Sequence, residues 1–395
     1  MIVGQSSGGD MAKLRVGLMF GGRSLEHEVS IVSATSILQA LDRDRYDVTL
    51  IAVDKQGRWR LGAPALPPAA AVEGIPVRLP TVPADEAVLV ADVDSLDRPG
   101  EAPPQTRSES PLEARTDSSL ALDVIFPIVH GRGGEDGLLQ GLLETAGVAY
   151  VGAGVLGSAV QMDKDVTKRL LAAEGLPVVP DVVLRSSALD AEELRAEAEA
   201  AARKLGLPVF VKPANSGSSV GISKVADLAS LAEAVALAIR YDTKVLIERA
   251  VDAREIEVAV LGNHFPEASI PGEIGVHHEF YDYEAKYLDG STELLIPAPI
   301  SPELSERVRE LALRAFRVLE GEGLARVDFL LDRRTDELYL NELNSLPGFT
   351  EGSMFPRLWA ASGLPYPELL HRLIELALER HARRSRLETD YCGGA

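Results

Sequence analysis

Cysteine is almost absent from this sequence, and long apolar runs are absent as well. The single cysteine, Cys392, cannot close an internal disulfide, which favours a protein of a reducing compartment. The longest uncharged stretch, residues 145–162, contains four glycines, whereas a membrane-spanning helix needs about 20 mostly apolar residues. The first 12 residues are rich in glycine and serine and lack the apolar core of a signal peptide. We therefore expect a cytoplasmic protein with no membrane segment.

Basic residues are in the minority, with 40 Lys and Arg against 60 Asp and Glu and a net charge of −20. So acidic a chain is a poor candidate for nucleic-acid binding, and no nucleic acid is expected among its partners. The remaining composition, 46% hydrophobic and 25% charged, is ordinary for a globular protein. Its 395 residues predict two or three domains with cores large enough to fold without a disulfide or a structural metal.

Strand and helix patterns alternate in the first third of the chain. Strands are predicted at residues 14–20, 47–53 and 120–129, and helices at residues 28–41 and 136–146. Strands separated by helices indicate an α/β unit with a parallel sheet. Residues 97–119 interrupt the pattern with one large aliphatic side chain, Leu112, and are predicted to form a surface insertion that buries little.

The rest of the chain combines helices with short strands. Helices are predicted at residues 191–205, 226–240 and 305–320, and strands at 208–212, 220–225, 244–249 and 255–261. A hairpin follows, with strands at residues 325–331 and 337–344.

The hairpin places polar side chains on one face. Alternation along the first strand puts Arg326 and Asp328 on the same side, and antiparallel pairing sets even-numbered residues opposite each other. The same rule puts Leu338, Leu340, Glu342 and Asn344 on one face of the second strand. Two carboxylates and an amide oxygen are hard ligands of the kind that Mg²⁺ prefers. The alternative is a solvated sheet face that carries an Arg–Glu pair.

A glycine- and serine-rich loop, residues 212–221, joins two predicted strands. Its small residues would let backbone N–H groups approach an anion, and Lys212 at its start could contact a phosphate. The segment does not match the P-loop pattern, and an ordinary hairpin loop is the alternative.

A second glycine pattern, residues 152–157, fits the G-x-G-x-x-G pattern of dinucleotide-binding proteins. Asp181 lies near the distance at which such a site has its acidic residue, but Pro177 and Pro180 precede it and no second strand is evident. We therefore do not favour a nicotinamide dehydrogenase. The helix that follows the glycines presents Lys164 and Lys168 instead.

An aromatic and charged segment, residues 279–290, is predicted to be a lid that closes over a substrate, excludes water and carries Lys286 into the site. An exposed loop or a partner interface is the alternative.

Seven motifs together resemble the D-alanine–D-alanine ligases of the ATP-grasp superfamily. They are FGGRSLEHEVS (20–30), HGRGGEDG (130–137), MDKDVTK (162–168), VKPANSGSSVGISKV (211–225), FYDYEAKY (280–287), ARVDF (325–329) and NELNSLPGFTEGSMFP (341–356). The resemblance covers roughly residues 13–380 and follows the order of the family's motifs.

The resemblance implies an α/β and α+β protein, namely an ATP-grasp fold with an N-terminal parallel-sheet α/β domain. The expected division is an N-terminal domain (13–150), a central ATP-grasp subdomain (151–247), a C-terminal ATP-grasp subdomain (248–380) and a tail (381–395).

The resemblance also implies where ATP and metal ions would bind. Lys164, Lys212 and Lys286 would contact the phosphates, Glu255 the ribose, and the segment around Glu248 the adenine. Ala250 stands where the family usually has an aromatic residue. Asp328, Glu342 and Asn344 would hold two Mg²⁺ ions, for which Mn²⁺ is expected to substitute.

The implied amino-acid sites involve the remaining motif residues. Glu26 and His130 would bind the first D-alanine, and Ser353 and Met354 the carboxylate of the second. Ser218 and Tyr287 would link to Glu26 and hold the lid closed. Arg326 and the backbone N–H of Gly348 would stabilise the oxyanion.

The implied activity is ATP-dependent ligation of two D-alanines for peptidoglycan precursor synthesis in the cytoplasm, by an enzyme that is usually a homodimer. Related ligases that make D-alanyl-D-lactate or D-alanyl-D-serine are the nearest alternative, and Tyr287 favours the dipeptide. A noncatalytic nucleotide-binding protein is a further alternative, although its motifs would be expected to decay.

Overall fold

This computed structural model describes residues 12–61, 75–78, 87–91, 120–217, 220–275 and 293–388. The predicted insertion (97–119) and lid (279–290) lie outside the described residues, as do Ser218, Lys286, Tyr287 and Cys392. None of the helices in the described ranges is long and apolar enough to cross a lipid bilayer.

The first sheet forms from the amino-terminal third. Its seven strands are β1 (Leu14–Gly21), β2 (Tyr46–Val53), β3 (Trp59–Leu61), β4 (Ile75–Arg78), β5 (Ala87–Ala91), β6 (Leu120–Leu122) and β7 (Val124–Ile128), in the order β6-β5-β4-β3-β2-β1-β7. Among the described strand pairs of this sheet, β1 pairs in parallel with β2 and with β7, and the other pairs are antiparallel. The predicted parallel arrangement therefore holds around β1, within a mixed sheet. Helices α1 (His27–Ala40) and α2 (Leu138–Thr145) complete this part.

The second sheet has four antiparallel strands. These are β8 (Asp181–Arg185), β9 (Val209–Pro213), β10 (Ser223–Val225) and β11 (Lys244–Arg249), in the order β10-β9-β11-β8. Helices α3 (Val155–Met162) and α4 (Lys164–Ala173) precede the sheet, and α5 (Ala191–Leu205) and α6 (Leu231–Ile239) pack on one of its faces through a shared apolar core. The other face remains available to line a cleft.

The third sheet is also antiparallel. Its strands are β12 (Ala253–Gly262), β13 (Glu267–Ala268), β14 (Gly272–Gly275), β15 (Glu293–Leu295), β16 (Gly323–Asp332) and β17 (Leu338–Asn344), in the order β15-β14-β12-β16-β17 with β13 beside β12. Helix α7 (Pro302–Val318) packs on one face through Val308, Ala315 and Phe316. Helices α8 (Met354–Ala361) and α9 (Tyr366–Arg384) follow the last strand.

Helix α9 ties the carboxyl-terminal part to the first sheet. Its buried leucines share one apolar core with α1 and β1. Arg380 is 3% exposed, donates hydrogen bonds to the carbonyl oxygens of Tyr150 and Gly152, and lies over the Tyr150 ring. These contacts fix the start of the central segment against the end of the chain.

The glycine pattern at residues 152–157 is explained by packing. A strand does begin at Asp181, which the sequence did not predict, but β8 belongs to the second sheet and pairs antiparallel with β11. No βαβ unit surrounds the glycines, so the requirement of a dinucleotide site is not met. A Cβ on Gly157 would lie 2.3 Å from the carbonyl oxygen of Glu320, which accounts for the glycine at that position.

Candidate active site

A β-bulge in the β16–β17 hairpin determines which side chains face the cleft. Arg326 pairs with Asn344 and Asp328 with Glu342, as even-numbered alignment predicts. The register then shifts so that Phe329 pairs with Leu340, which leaves Asn341 as the extra residue of the bulge. The prediction that Leu338 and Leu340 share a face with Glu342 is therefore wrong. Both leucines are buried in the core beneath the sheet because the bulge reverses the alternation.

Three carboxylates line up across adjacent strands of this sheet. Glu257 on β12 is directly opposite Asp328 on β16, which is in turn opposite Glu342 on β17. Arg326 lies among them: its Nε and a terminal nitrogen each donate to Asp328 at 2.7 Å, and Nε is 3.1 Å from Glu257 Oε2. Burial alone would lower the pKa of Arg326, but the Asp328 and Glu257 carboxylates outweigh it and raise that pKa. The guanidinium is therefore a permanent cation on this face.

A lysine reaches this face from the helical side of the cleft. Lys164 is the first residue of α4, where the preceding residue, Asp163, caps the helix by accepting from the Val166 N–H. Its Nζ donates to the carbonyl oxygen of Ser216 at 2.8 Å and lies 3.2 Å from Glu342 Oε2. Lys164 thus joins the glycine-rich loop to the hairpin.

Two further lysines flank one buried carboxylate. Lys212 Nζ donates to Glu248 Oε1 at 2.6 Å, and Lys168 Nζ donates to Glu248 Oε2. Lys168 also lies 3.1 Å from Asp181 Oδ1. Burial would raise the pKa of Glu248, but the two ammonium groups outweigh it and lower the pKa to about 2. Burial would likewise lower the pKa of Lys212, and Glu248 reverses the effect and raises it.

These groups surround a cavity of about 610 Å³ between the second and third sheets. Its walls include Lys164, Lys212, Glu248, Glu255, Asp328 and Glu342, together with Phe210 and Ala250. A cavity lined by both cations and apolar side chains has the size and chemistry to bind a phosphorylated, largely flat ligand.

A second group of predicted residues lies where the amino-terminal sheet meets the glycine-rich loop. Glu26 occupies the N-cap position of α1. A Cβ on Gly131 would lie 2.2 Å from its Oε2, and a Cβ on Gly217 would lie 3.2 Å from the same atom. Glycines at both positions therefore leave room for this carboxylate. Because Gly217 belongs to the loop that Lys164 contacts through Ser216, the Glu26 region adjoins the cavity.

His130 is buried, and each of its ring nitrogens has a hydrogen-bond partner. Its Nδ1 lies 3.0 Å from the Leu346 carbonyl oxygen and its Nε2 3.1 Å from Ser33 Oγ. Burial lowers the pKa of His130 to about 4, so the ring is neutral at pH 7. An Nδ1–H that donates to the carbonyl leaves Nε2 as the acceptor for the Ser33 hydroxyl.

Glu135 is a buried carboxyl group that sequence reasoning did not single out, although it lies in the HGRGGEDG motif. It accepts the Gly131 N–H at 2.7 Å and lies 3.8 Å from His130 Nδ1. Burial, and secondly the charge of Glu26, raise the pKa of Glu135 to about 8. At pH 7 Glu135 is therefore protonated and adds no negative charge near Glu26.

Ser353 occupies the N-cap position of α8, and its hydroxyl group contacts Thr350. The Thr350 N–H donates to Ser353 Oγ at 3.1 Å, and the two hydroxyl groups lie 2.7 Å apart. Gly348 lies close by, since a Cβ there would be 3.4 Å from Ser353 Oγ. Met354, the first residue of α8, is 5% exposed and packs in the core. A helix amino terminus favours a carboxylate ligand.

The structure thus brings most of the predicted site residues into two adjoining regions. Ser218, Lys286 and Tyr287 lie outside the described residues. The sequence did not single out Glu135 or Glu257, and it did not predict that Lys168 pairs with Glu248 and Asp181. The alternation in residues 255–257, with acidic residues on either side of Ile256, was a usable signal for Glu257, but its partner Arg326 is distant in sequence.

Two antiparallel sheets that enclose a cavity lined by lysines and carboxylates define a protein of the ATP-grasp fold. The models described as D-ala D-ala ligase N-terminus and D-ala D-ala ligase C-terminus match residues 15–153 and 170–375. The chain belongs to the D-Ala–D-Ala ligase family of enzymes, whose members use ATP.

Individual relatives are similar to this protein along nearly the whole chain. A D-alanine–D-alanine ligase from Heliobacterium modesticaldum is 47% identical over 382 residues, which cover 96% of this chain and 99% of the relative. The solved D-alanine–D-alanine ligase from Coxiella burnetii has a TM-score of 0.77 at 34% identity and covers 95% of this chain and 96% of its own. The VanG D-Ala:D-Ser ligase from Enterococcus faecalis also has a TM-score of 0.77, at 29% identity, with 93% and 100% covered.

Proposed function

We propose that this enzyme joins two D-alanines into D-alanyl-D-alanine and converts ATP to ADP and phosphate. The observation that carries the proposal is the cavity lined by Lys164, Lys212 and the carboxylates of the hairpin, where Lys164 contacts Glu342, next to a second region around Glu26. An ATP site and a D-amino-acid site side by side are what a carboxylate–amine ligase requires.

The chemistry requires activation of a carboxylate. A carboxylate is a poor acyl donor because its leaving group would be oxide. Attack of the first D-alanine's carboxylate oxygen on the γ-phosphorus breaks the bond to ADP and forms an acylphosphate, which has a good leaving group. The amine of the second D-alanine then attacks the carbonyl carbon, and phosphate leaves. Lys164 and Lys212 are proposed to bind the phosphates and to offset their charge.

The hairpin is proposed to hold two Mg²⁺ ions through Asp328, Glu342 and Asn344. Two carboxylates and an amide oxygen are hard donors. A site with few protein ligands fits Mg²⁺, since that ion shares its shell with phosphates and water. When bound, the ions would offset charge on the transferred phosphoryl group, and Mn²⁺ is expected to substitute.

The nucleoside of ATP is proposed to lie toward Glu255 and Glu248, with Glu255 binding the ribose. Both residues line the same cavity as the lysines. Phe210 and Ala250 also line it and offer apolar surface for the adenine.

The first D-alanine is proposed to bind with its ammonium on Glu26 and beside the neutral His130. The second is proposed to place its carboxylate at Ser353 and Met354, the start of α8. Arg326 and the Gly348 N–H are proposed to stabilise the oxyanion that forms as the amine attacks. The partial positive charge at the helix amino terminus supports the carboxylate position.

The lid remains a prediction from sequence, because Tyr287, Lys286 and Ser218 lie outside the described residues. We expect Tyr287 and Ser218 to link to Glu26 and close the site, and Lys286 to approach the γ-phosphate. Closure would exclude water, which hydrolyses an acylphosphate.

The choice of the second substrate distinguishes this function from its nearest alternative. The likeness to a D-Ala:D-Ser ligase indicates that the same fold serves another acceptor in that protein. Phosphate release should be measured with D-alanine alone and with D-lactate or D-serine added. Release that does not depend on D-alanine would contradict the proposal. Tyr287→Phe is expected to admit D-lactate, and an unchanged acceptor ratio across pH would contradict the role of Tyr287.

The proposal also covers the domain division, the cellular location and the oligomeric state. The separate sheets at residues 14–128, 181–249 and 253–344 support three domains with the boundaries 13–150, 151–247 and 248–380. We further propose that the product serves as a peptidoglycan precursor and that the enzyme works in the cytoplasm.

A homodimer is also proposed. Exposed aliphatic side chains on the adjoining helices α2 and α3 support it, because a patch of this kind marks a contact surface. They are Leu138, Leu142, Val155 and Leu156. Leu142→Glu should yield monomers in sedimentation experiments, and a wild-type chain that sediments as a monomer would contradict the proposal.

A further inference from the structure

We propose that Glu257 is a positioning residue that holds Arg326 in place for the aminolysis step. The inference rests on the proposed function, in which Arg326 stabilises the oxyanion. It adds a residue on a different strand, outside the motifs that led to the site.

The position of Glu257 is fixed by the sheet. It lies in the interior of the ten-residue strand β12, is 3% exposed, and faces Asp328 directly across the β12–β16 pair. Its Oε2 is 3.1 Å from Arg326 Nε. The contact is an ion pair, since the single Nε hydrogen of Arg326 is donated to Asp328 Oδ1. Because Glu257 is buried, solvent screens this pair far less than it would a surface pair.

The row of three carboxylates explains why a second anchor is needed. Like charges on directly opposed residues repel, and here Arg326 separates Glu257 from Asp328 while Lys164 lies at Glu342. Asp328 is also a proposed cation ligand, so its hold on the guanidinium must weaken when a cation binds. Glu257 is not among the proposed cation ligands, so its charge can keep Arg326 beside the reacting carbonyl when a cation binds.

The direct test is Glu257→Gln, which keeps the shape of the side chain and removes its charge. We expect kcat to fall roughly 10- to 100-fold, as is typical when the support of a catalytic group is lost, while the Kd for ATP measured by calorimetry stays within twofold. Glu257→Asp keeps the charge on a shorter side chain and should recover part of kcat.

A matched control exists on the opposite face of the same sheet. Glu273 on β14 is 7% exposed and receives two hydrogen bonds from Arg254, at 2.8 and 2.6 Å. Neither residue lines the cavity. Glu273→Gln removes an equivalent buried Arg–Glu pair, so it should lower the melting temperature at least as much as Glu257→Gln and leave kcat within twofold.

A double-mutant cycle with Arg326→Lys identifies the route of the effect. If Glu257 acts through Arg326, Glu257→Gln should lower kcat by less than twofold in the Arg326→Lys background. The inference would be overturned if the reductions in kcat of the two single variants multiplied in the double variant. An unchanged kcat in Glu257→Gln alone would overturn it as well. If Glu257→Gln does not fold, Glu257→Asp alone decides, because a kcat equal to that of the wild type would overturn the inference equally. Failure of the proposed function would be distinct, since the wild type itself would then release no D-alanine-dependent phosphate.

Discussion

Lys164 and Glu342 meet across the cleft, with 3.2 Å between the lysine Nζ and the carboxylate Oε2. One is the first residue of α4 and the other lies on the last strand of the third sheet. The contact brings a proposed phosphate ligand and a proposed metal ligand together, so charge at Glu342 should govern turnover more than folding.

Glu342→Gln is therefore expected to retain the fold and to lower kcat by roughly 100-fold or more, because a ligand charge at the transferred phosphoryl group is lost. The measurement is phosphate release as a function of Mg²⁺ concentration, together with the melting temperature. Glu337→Gln, an exposed carboxylate at the turn end of the same hairpin, is the control. Unchanged turnover in Glu342→Gln would remove this residue from the metal site.

Gly131 should determine the position of Glu26. Alanine at residue 131 would place its Cβ 2.2 Å from Glu26 Oε2 and displace the carboxylate. We expect the KM for the first D-alanine to rise roughly 10-fold or more, since a charge-assisted hydrogen bond contributes about 1.5–3 kcal/mol.

Gly133→Ala is the matched control for this experiment. Both glycines have a positive φ, +74° at Gly131 and +86° at Gly133, so both substitutions incur the same backbone strain of about 1–2 kcal/mol. A Cβ at Gly133 would meet nothing within 4 Å. Equal KM values in the two variants would show that Glu26 does not bind the substrate.

The two lysines on Glu248 should differ in what they support. Lys168 is 4% exposed and also contacts Asp181, so Lys168→Met should lower the free energy of unfolding by about 3 kcal/mol, the cost of breaking a buried ion pair. Lys212 lines the cavity, and Lys212→Met should chiefly weaken ATP binding. Chemical denaturation and calorimetry with ATP separate the two effects. If Lys212→Met chiefly lowered stability and Lys168→Met chiefly weakened ATP binding, the phosphate role of Lys212 would be contradicted.

Glu135 should make stability fall as the pH rises. Its pKa is raised from 4.5 to about 8, so between these values the folded state holds a proton that the unfolded state has lost. Stability then falls with increasing pH by at most about 1.4 kcal/mol per unit and levels off above pH 8. Glu135→Gln stays neutral throughout. The free energy of unfolding should be measured for both proteins by denaturation from pH 5 to 8. The value for the wild type minus the value for Glu135→Gln should fall with that slope. A difference that does not change with pH would contradict a protonated Glu135.

Local signals predicted individual elements well where the sequence marks their ends. Helix α5 spans residues 191–205 as predicted, because Asp190 and Glu193 form a capping box and Gly206 ends the helix. Strand β11 also has its predicted bounds. Helix α6 starts at Leu231 and not at residue 226, because the Asp227 side chain accepts from the N–H groups of Ala229 and Ser230 and stabilises a turn there.

Long-range geometry could not be read in the same way. Strict alternation predicted the Asp328–Glu342 pair correctly and then failed at the Asn341 bulge, which no local signal announced. Glu135 and Glu257 depend on burial and on partners distant in sequence, such as Glu26 and Arg326. Motif resemblance supplied most candidate residues, whereas the contacts that tune them came from the fold.

The most direct test of the account follows an oxygen atom. D-alanine labelled with ¹⁸O in both carboxylate oxygens should be incubated with ATP, Mg²⁺ and the enzyme, and the released phosphate analysed by mass spectrometry. Because the carboxylate attacks the γ-phosphorus, each phosphate should carry one ¹⁸O and appear with one D-alanyl-D-alanine. Unlabelled phosphate would show that water and not the D-alanine carboxylate accepts the phosphoryl group. Labelled phosphate without dipeptide would show that water and not a second D-alanine accepts the acyl group. Either result would contradict the account.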